Sequence, residues 1–261
     1  MDKKLLLLFF FLFIPAAVSA KVNLSVPFTV QAPDAIWQDP WDDACEEATI
    51  AMVDAFYARK QMSKFYAKEM MLRLIRLEKK LFGFYKDTRA SEIAEIMNRY
   101  FPWEAQVVAR PTLRDIQREL DEGRPVIVPV HGRSLKNPYF RNGGPDYHTV
   151  VISGYDDEKK EFIAQEPGTK RGKDFRYPYD RLLGAMHDFM PNGRTRYGEP
   201  VAIFTSRQIT ASRFIDGDND GLTKADELNY GTVLWLADSD GDGVSDGDEV
   251  ERGFSPTKRQ P

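Results

Sequence analysis

The sequence predicts an α+β protein that ends in a small acidic module. Helical periodicity dominates residues 45–120, short β-branched runs separated by Gly- and Pro-rich turns take over from Pro125, and after Ser206 the chain becomes rich in Asp and Gly. Helices first and strands afterwards is the segregated pattern, unlike the strict alternation of a doubly wound protein.

Residues 22–41 are extended and punctuated by Pro27, Pro33 and Pro40. Over residues 45–60, Ala48, Ala51, Met52, Ala55 and Phe56 form one apolar stripe of a helix, with Asp42 or Asp43 as candidate cap, which puts Cys45 in the first turn. Further helices are expected over 63–81, over 90–100 and over 113–120. Thr88 or Ser91 is the candidate cap of the second, without a capping box; Thr112 caps the third and Gly123 stops it. Strands are expected over 126–130, 147–153, 161–165 and 201–205 in one sheet, interrupted by a helix over 179–189. The module boundary falls at 208–213, dividing the chain into residues 21–207 and 208–261.

The 261 residues are 42% hydrophobic and 29% charged, which excludes collagenous, wholly disordered and multi-span membrane classes. The formal charge of −4 disfavours nucleic acid as a partner. It hides an asymmetry, with −7 on residues 208–261 and +3 on the rest. The single cysteine forbids an intramolecular disulfide, so the fold must rest on its apolar core.

Residues 1–20 read as a secretory signal peptide: Lys3 and Lys4, an apolar run over 5–14, and a small-residue close at Ser19-Ala20. The run falls short of the ~20 residues a membrane span requires. The mature protein is therefore expected to be exported, with no membrane span after cleavage after Ala20.

A helix N-terminus favours thiolate over thiol at Cys45, whereas Glu46 and Glu47 oppose it if they point the same way. Of His131, His148 and His187, His148 is the best base because it opens a strand behind the turn-rich segment 142–146. A hairpin centred on Asp157 would pair His148 with Glu166, the candidate orienting carboxylate. Together these make a Cys, His, acid constellation suited to acyl-enzyme chemistry. Gln31 or Gln38 could supply the oxyanion donor, and spacing does not choose between them.

The segments Val26-Pro27-Phe28-Thr29-Val30-Gln31-Ala32-Pro33, Cys45-Glu46-Glu47-Ala48, Asn137-Pro138, Gly144-Pro145-Asp146-Tyr147-His148, Gly154-Tyr155-Asp156 and Glu166-Pro167-Gly168-Thr169 resemble the stand-alone secreted relatives of the bacteriocin-processing cysteine peptidases. The resemblance spans residues 22–206. It implies a papain-like fold, a catalytic Cys45 and His148, and Gln31 as oxyanion donor, acting on a peptide or protein substrate. One position departs from the family pattern: Glu166 stands where Asp is common, one methylene longer, and is expected to reach Nδ1 of His148 if the backbone recedes.

The acidic tail holds two full matches to D-x-[DN]-x-[DN]-G-x5-E. Asp216, Asp218, Asp220, the Leu222 carbonyl and Glu227 form one candidate calcium set; Asp238, Asp240, Asp242, the Val244 carbonyl and Glu249 form the other. Position 9 is Lys224 in the first loop and Asp246 in the second, so the second is expected to bind more tightly. No helix is expected before either loop. The pair resembles the structural calcium loops of bacterial thrombospondin type 3 repeats more than dockerin loops. The leading reading is an exported thiol peptidase with a calcium module. Acyl transfer or amidohydrolysis on cell-wall peptides is the rival within enzymes, and a catalytically silent peptide-binding protein, attached to the cell surface or wall, is the rival outside them.

Overall fold

The computed structural model of the chain describes residues 20–260, so the expected signal peptide lies outside the described residues apart from Ala20. Among the described residues, no helix is long and apolar enough to cross a membrane. The chain runs through β1 (Lys21–Asn23), a 3-10 turn at Trp41–Asp43, α1 (Cys45–Tyr57), α2 (Lys64–Phe82), α3 (Ala90–Tyr100), β2 (Glu104–Ala109), α4 (Leu113–Asp121) and β3 (Val126–Val130). It continues through β4 (His148–Asp156), β5 (Glu161–Gln165), β6 (Phe175–Pro178), α5 (Tyr179–Ala185), β7 (Val201–Ser206), α6 (Lys224–Tyr230) and α7 (Asp246–Glu251).

The described strands form one antiparallel sheet in the order β2-β7-β3-β4-β5-β6, with β1 added along the far half of β4. Alternation of side chains across the sheet divides the core in two. Ile127, Val151 and Ile203 pack with Ile50, Leu74, Ile93 and Met97 of the three N-terminal helices. Val128, Val150, Ile152 and Ala202 face the opposite way, onto Ile116 and Leu120 of α4 and Leu182 of α5. Because β3 is buried on both faces, it reads as a continuous apolar run.

The helix signals hold in most places. Ser63 accepts the Tyr66 N–H to start α2, Gly83 closes it in the left-handed conformation, and Thr112 with Asp115 boxes the start of α4. At α3 the cap is neither Thr88 nor Ser91: Arg89 occupies it, and the Glu92 carboxylate returns to accept the Arg89 N–H. Two strands escape the sequence pattern. β2 is an edge strand with Gln106 and Val107 exposed, and β6 is a four-residue edge strand ending at Pro178, so neither has the alternation that burial imposes.

The hairpin register is a correction. The β4–β5 ladder runs from Asp156↔Glu161 through Gly154↔Ile163, slips at Ser153, and resumes at Ile152↔Ala164 and Val151↔Gln165. His148 and Glu166 are therefore not ladder partners. The slip is a bulge held by Ser153 Oγ, which donates to the Ile163 carbonyl and accepts from Gln165 Nε2. Gly154 beside it is required by close packing, since a Cβ there would lie 2.1 Å from the Val22 carbonyl oxygen of β1.

The acidic tail docks on the back of the helical half. Lys224, fully buried, donates from Nζ to the carbonyls of Asn98 and Trp103 and to Ser212 Oγ, at 3.1, 2.9 and 3.1 Å. Trp103 Nε1 in turn donates to Asp54 of α1. Arg73 of α2 stacks on Trp235, and Glu104 accepts the backbone N–H groups of Thr210 and Ala211. Lys224→Met keeps the stem but strands two buried carbonyls, so it is expected to lower unfolding stability by about 2 kcal/mol. Thermal denaturation checks this; an unchanged midpoint would contradict the docking.

Candidate active site

The turn Trp41–Asp43 delivers Cys45 to the first position of α1, where the backbone N–H groups have no intrahelical acceptor. The thiol does not enjoy an anion-friendly setting. Sγ donates to Glu46 Oε2 at 2.9 Å, and Glu46 Oε1 accepts the Thr88 N–H at 2.9 Å, so Glu46 does point the same way. Burial, then the Glu46 carboxylate, push the Cys45 thiol well above its usual range and outweigh the helix start. Burial, then Glu47, raise Glu46 in the same sense, and Glu47 is raised by burial and Glu78.

His148 opens β4 with its ring almost fully buried, and Phe140 meets it edge-on at a centroid distance of 5.3 Å. Its Nε2 lies 2.5 Å from Glu166 Oε1. This corrects the expected contact: the carboxylate holds Nε2, which leaves Nδ1 as the ring's other proton site. The longer Glu side chain reaches from beyond the end of the ladder, where the Glu166 N–H bonds to the Gly172 carbonyl. Glu166 is itself wholly buried and collects further donors, the Gly168 N–H at 2.7 Å onto Oε1 and the Tyr177 hydroxyl at 2.8 Å onto Oε2. Asn137 Nδ2 donates to that hydroxyl at 2.7 Å. Burial and the Glu166 charge raise Tyr177, keeping it a donor.

Cys45, His148, Gly168 and Gln31 line one cleft of about 920 Å³. Trp37, Tyr139 and Phe140 form part of its wall, while Trp41 packs instead against Ala44 and Ala48. Asp42, Asp43, Asp87 and Asp146 line it together with Arg133, Arg141 and Lys170. Burial, then Asp43 and Asp146, raise Asp87 to about 6. Gln31 Nε2 donates to the Trp41 and Asp42 carbonyls, at 3.1 and 3.0 Å, and the Gln31 N–H donates to the Pro167 carbonyl. Gln31 thus ties the turn before Cys45 to the turn after Glu166, whereas Gln38 does not line the cleft. His131 spends Nδ1 on Ser134 Oγ and stands 3.5 Å from Asp146; His187 Nδ1 meets the Gly198 carbonyl.

Tyr177 carries no role in the sequence reading, and Asn137 appears there only within the family resemblance. Tyr177 and Asn137 approach Glu166 from β6 and from the loop after β3, a convergence only the sheet order reveals. Glu46 was legible as a neighbour of the thiol, though not its direction.

In the tail, carboxylate oxygens of Asp216, Asp218 and Asp220 gather within 4.8 Å of one another, as do those of Asp238, Asp240 and Asp242. Asp216 accepts the Asn219 and Gly221 N–H groups, and Asp238 accepts those of Gly241 and Gly243, so the two loops fold alike. Both carboxylate oxygens of Asp218, Glu227 and Glu249, and Oδ2 of Asp240, are buried without a hydrogen-bond partner. That donor set suits a hard cation with oxygen ligands. Each loop leads into a short helix, α6 or α7, with a 3-10 turn and no helix before the first. Asp246, position 9 of the second loop, accepts the Ser239 N–H and hydroxyl.

A family model described as the Peptidase_C39-like family matches residues 23–190, and the chain belongs to that family. Among solved structures it is similar to a C39-like peptidase from Bacillus anthracis, at 16% identity and a TM-score of 0.49, covering 73% of this chain and all of that one. It is also similar to xylellain, a cysteine protease from Xylella fastidiosa, at 16% identity and a TM-score of 0.45, covering 73% of this chain and 86% of that one. No curated protein matches the chain.

A Cβ at Gly168 would lie 2.8 Å from Phe140 Cε1, 2.9 Å from Glu166 Oε1 and 3.1 Å from His148 Cε1. Gly168→Ala is therefore expected to displace the imidazole from Glu166 while leaving the fold intact. The ring nitrogen signals of His148 by NMR report this, and ring signals identical to wild type would contradict the geometry.

Proposed function

We propose that the chain is an exported cysteine peptidase that cleaves peptide bonds through a thioester acyl-enzyme, with a C-terminal module that binds calcium. The observation that carries this reading is His148 held at Nε2 by a buried carboxylate, beside Cys45 in one open cleft, in a chain of the Peptidase_C39-like family.

With Nε2 fixed, His148 takes the Sγ proton on Nδ1 as the sulfur attacks the scissile carbonyl carbon. The Cys45 N–H, and Gln31 Nε2 after releasing one of its carbonyl partners, face the developing oxyanion. The tetrahedral adduct collapses as His148 returns the proton to the leaving amine, forming the thioester. Water, deprotonated at the same nitrogen, then releases the acid and restores the thiol. Glu166 keeps the ring oriented and stabilises the imidazolium that forms in each half. The cleft's mixed charges and its wall of Trp37, Tyr139 and Phe140 suit an extended peptide or protein segment as the partner.

Calcium would be held by Asp216, Asp218, Asp220, Leu222 and Glu227 in the first loop, and by Asp238, Asp240, Asp242, Val244 and Glu249 in the second. Bound there, the cation neutralises carboxylates that otherwise repel one another. Export fits this role, since extracellular calcium fills even weak sites of ~10⁻⁴ to 10⁻³ M. Lys224, which begins α6 inside the first loop, anchors the module to the helical half.

Cys45→Ala is expected to abolish hydrolysis of a peptide library, and Glu166→Ala to lower kcat/KM by about 10² or more, since an unoriented base loses most of its contribution. Undiminished turnover by the Cys45 variant would overturn the enzyme reading and leave the silent peptide-binding protein. Calcium chelation is expected to lower the unfolding midpoint of the full chain, and Glu227→Gln with Glu249→Gln to abolish that response. A midpoint indifferent to calcium would remove the metal from the account.

A further inference from the structure

We propose that Asn137 and Tyr177 are positioning residues that fix the direction of protons along a buried chain running Asn137, Tyr177, Glu166, His148, and so keep the Nε2 proton on the imidazole while Nδ1 serves the sulfur. The proposal rests on the cysteine peptidase reading and adds to it two residues the mechanism above does not use.

The direction is set from the far end of the chain. Asn137 is buried, and its Oδ1 accepts the Tyr139 N–H at 3.0 Å, which turns Nδ2 towards Tyr177. An amide nitrogen only donates, so the Tyr177 oxygen accepts at 2.7 Å and its own proton must go elsewhere. The acceptor within reach is Glu166 Oε2, at 2.8 Å. Oε1 takes the Gly168 N–H at 2.7 Å, a backbone donor with no lone pair to offer. His148 Nε2, 2.5 Å from Oε1, is the remaining partner, and the same accounting makes it a donor too. Every side-chain hydrogen-bond partner of this carboxyl group thus points a proton at it.

Burial makes the count strict. Asn137, Tyr177, Glu166 and His148 are all buried, so bulk water does not stand in for a missing donor. Phe175 packs on Tyr177 and meets Tyr139 edge-on, at centroid distances of 4.7 and 6.2 Å, which ties the strand that carries the hydroxyl to the turn that carries the amide. That turn continues into Phe140, whose ring meets His148 edge-on. Both ends of the chain are therefore held by the same short segment.

The consequence appears when the ring carries both protons. If Oε2 lacked the Tyr177 donor, a buried carboxylate would meet its need by drawing the Nε2 proton onto Oε1, leaving a neutral acid beside a neutral ring. The imidazolium charge that stabilises the tetrahedral adduct would then be lost. With Oε2 already supplied, the proton stays on nitrogen and the ring remains the cation. Neither Tyr177 nor Asn137 gains or loses a proton in any step; each holds one hydrogen bond in one direction.

Tyr177→Phe in the full chain removes one oxygen and keeps the ring. It is expected to lower kcat about 10-fold at unchanged KM, the loss of one hydrogen bond to a charged group. At mildly acidic pH it should also move the His148 Nε2 nitrogen signal, identified by its loss in His148→Ala, away from the protonated position. The decisive comparison is the Glu166→Gln background. There the new carbonyl must face Gly168 and His148, which aims the new amide N–H at a hydroxyl whose oxygen Asn137 already occupies, donor against donor. Adding Tyr177→Phe is therefore expected to raise the unfolding midpoint of Glu166→Gln, the reverse of its effect on the wild type. A hydroxyl that served packing alone would lower both. An unchanged kcat and Nε2 signal in Tyr177→Phe would overturn the proposal, as would a midpoint not raised in the Glu166→Gln background, or a chain that folds in neither. Folding of Tyr177→Phe only together with Glu166→Gln would support it. The midpoints and the Nε2 signal are read without turnover, so failure of the parent reading shows separately, as hydrolysis that survives Cys45→Ala.

Discussion

The site depends on one buried carboxylate. Glu166 has no access to solvent, so its charge must be met from within, and His148 Nε2, the Gly168 N–H and the Tyr177 hydroxyl meet it at 2.5 to 2.8 Å. A buried carboxylate stripped of one donor is left with an unpaired acceptor that costs more than the bond itself contributes, which makes the arrangement all-or-none. It fixes the ring and thereby decides which nitrogen is left to serve the sulfur. The requirement reaches outward: Tyr177 is held by Asn137, Gly168 must lack a side chain, and Gln31 ties the Glu166-Pro167 turn to the approach to Cys45.

Against that well-satisfied imidazole stands a thiol in an unfavourable field. The start of α1 offers partial positive charge, yet Glu46, Glu47 and Glu78 bring three carboxyl groups into the interior behind the cysteine, and the carboxyl oxygens of Glu47 and Glu78 have no hydrogen-bond partner among the described residues. Desolvated carboxyls of this kind resolve their conflict by keeping protons. Half of the site thus surrounds its carboxyl group with donors and half leaves its carboxyl groups without them, and the cleft joins the two.

The fold class and the helices were legible because amphipathic stripes, Ser63, Thr112 and Gly83 are local signals. β2 and β6 were not, because an exposed edge carries little pattern. Cys45, His148 and Glu166 were legible as residue types, and Glu166 was found by a register that the Ser153 bulge invalidates; its longer side chain restores the meeting from a different backbone position. The direction of Glu46 and the arrival of Tyr177 and Asn137 depend on packing between segments far apart in sequence, which no spacing encodes. The two Asp-rich loops were legible because their spacing is local, whereas the docking of Lys224 into the helical half is long-range.

The most direct measurement is mass spectrometry of the full chain after reaction with a peptidyl epoxide that alkylates a cysteine whose proton an adjacent imidazole can take. One adduct on the peptide bearing Cys45, lost when His148 is replaced by Ala and retained when His131 is, is the result that a base held by Glu166 requires. No adduct in the wild type, or labelling that is indifferent to His148, would show that sulfur and imidazole do not act together.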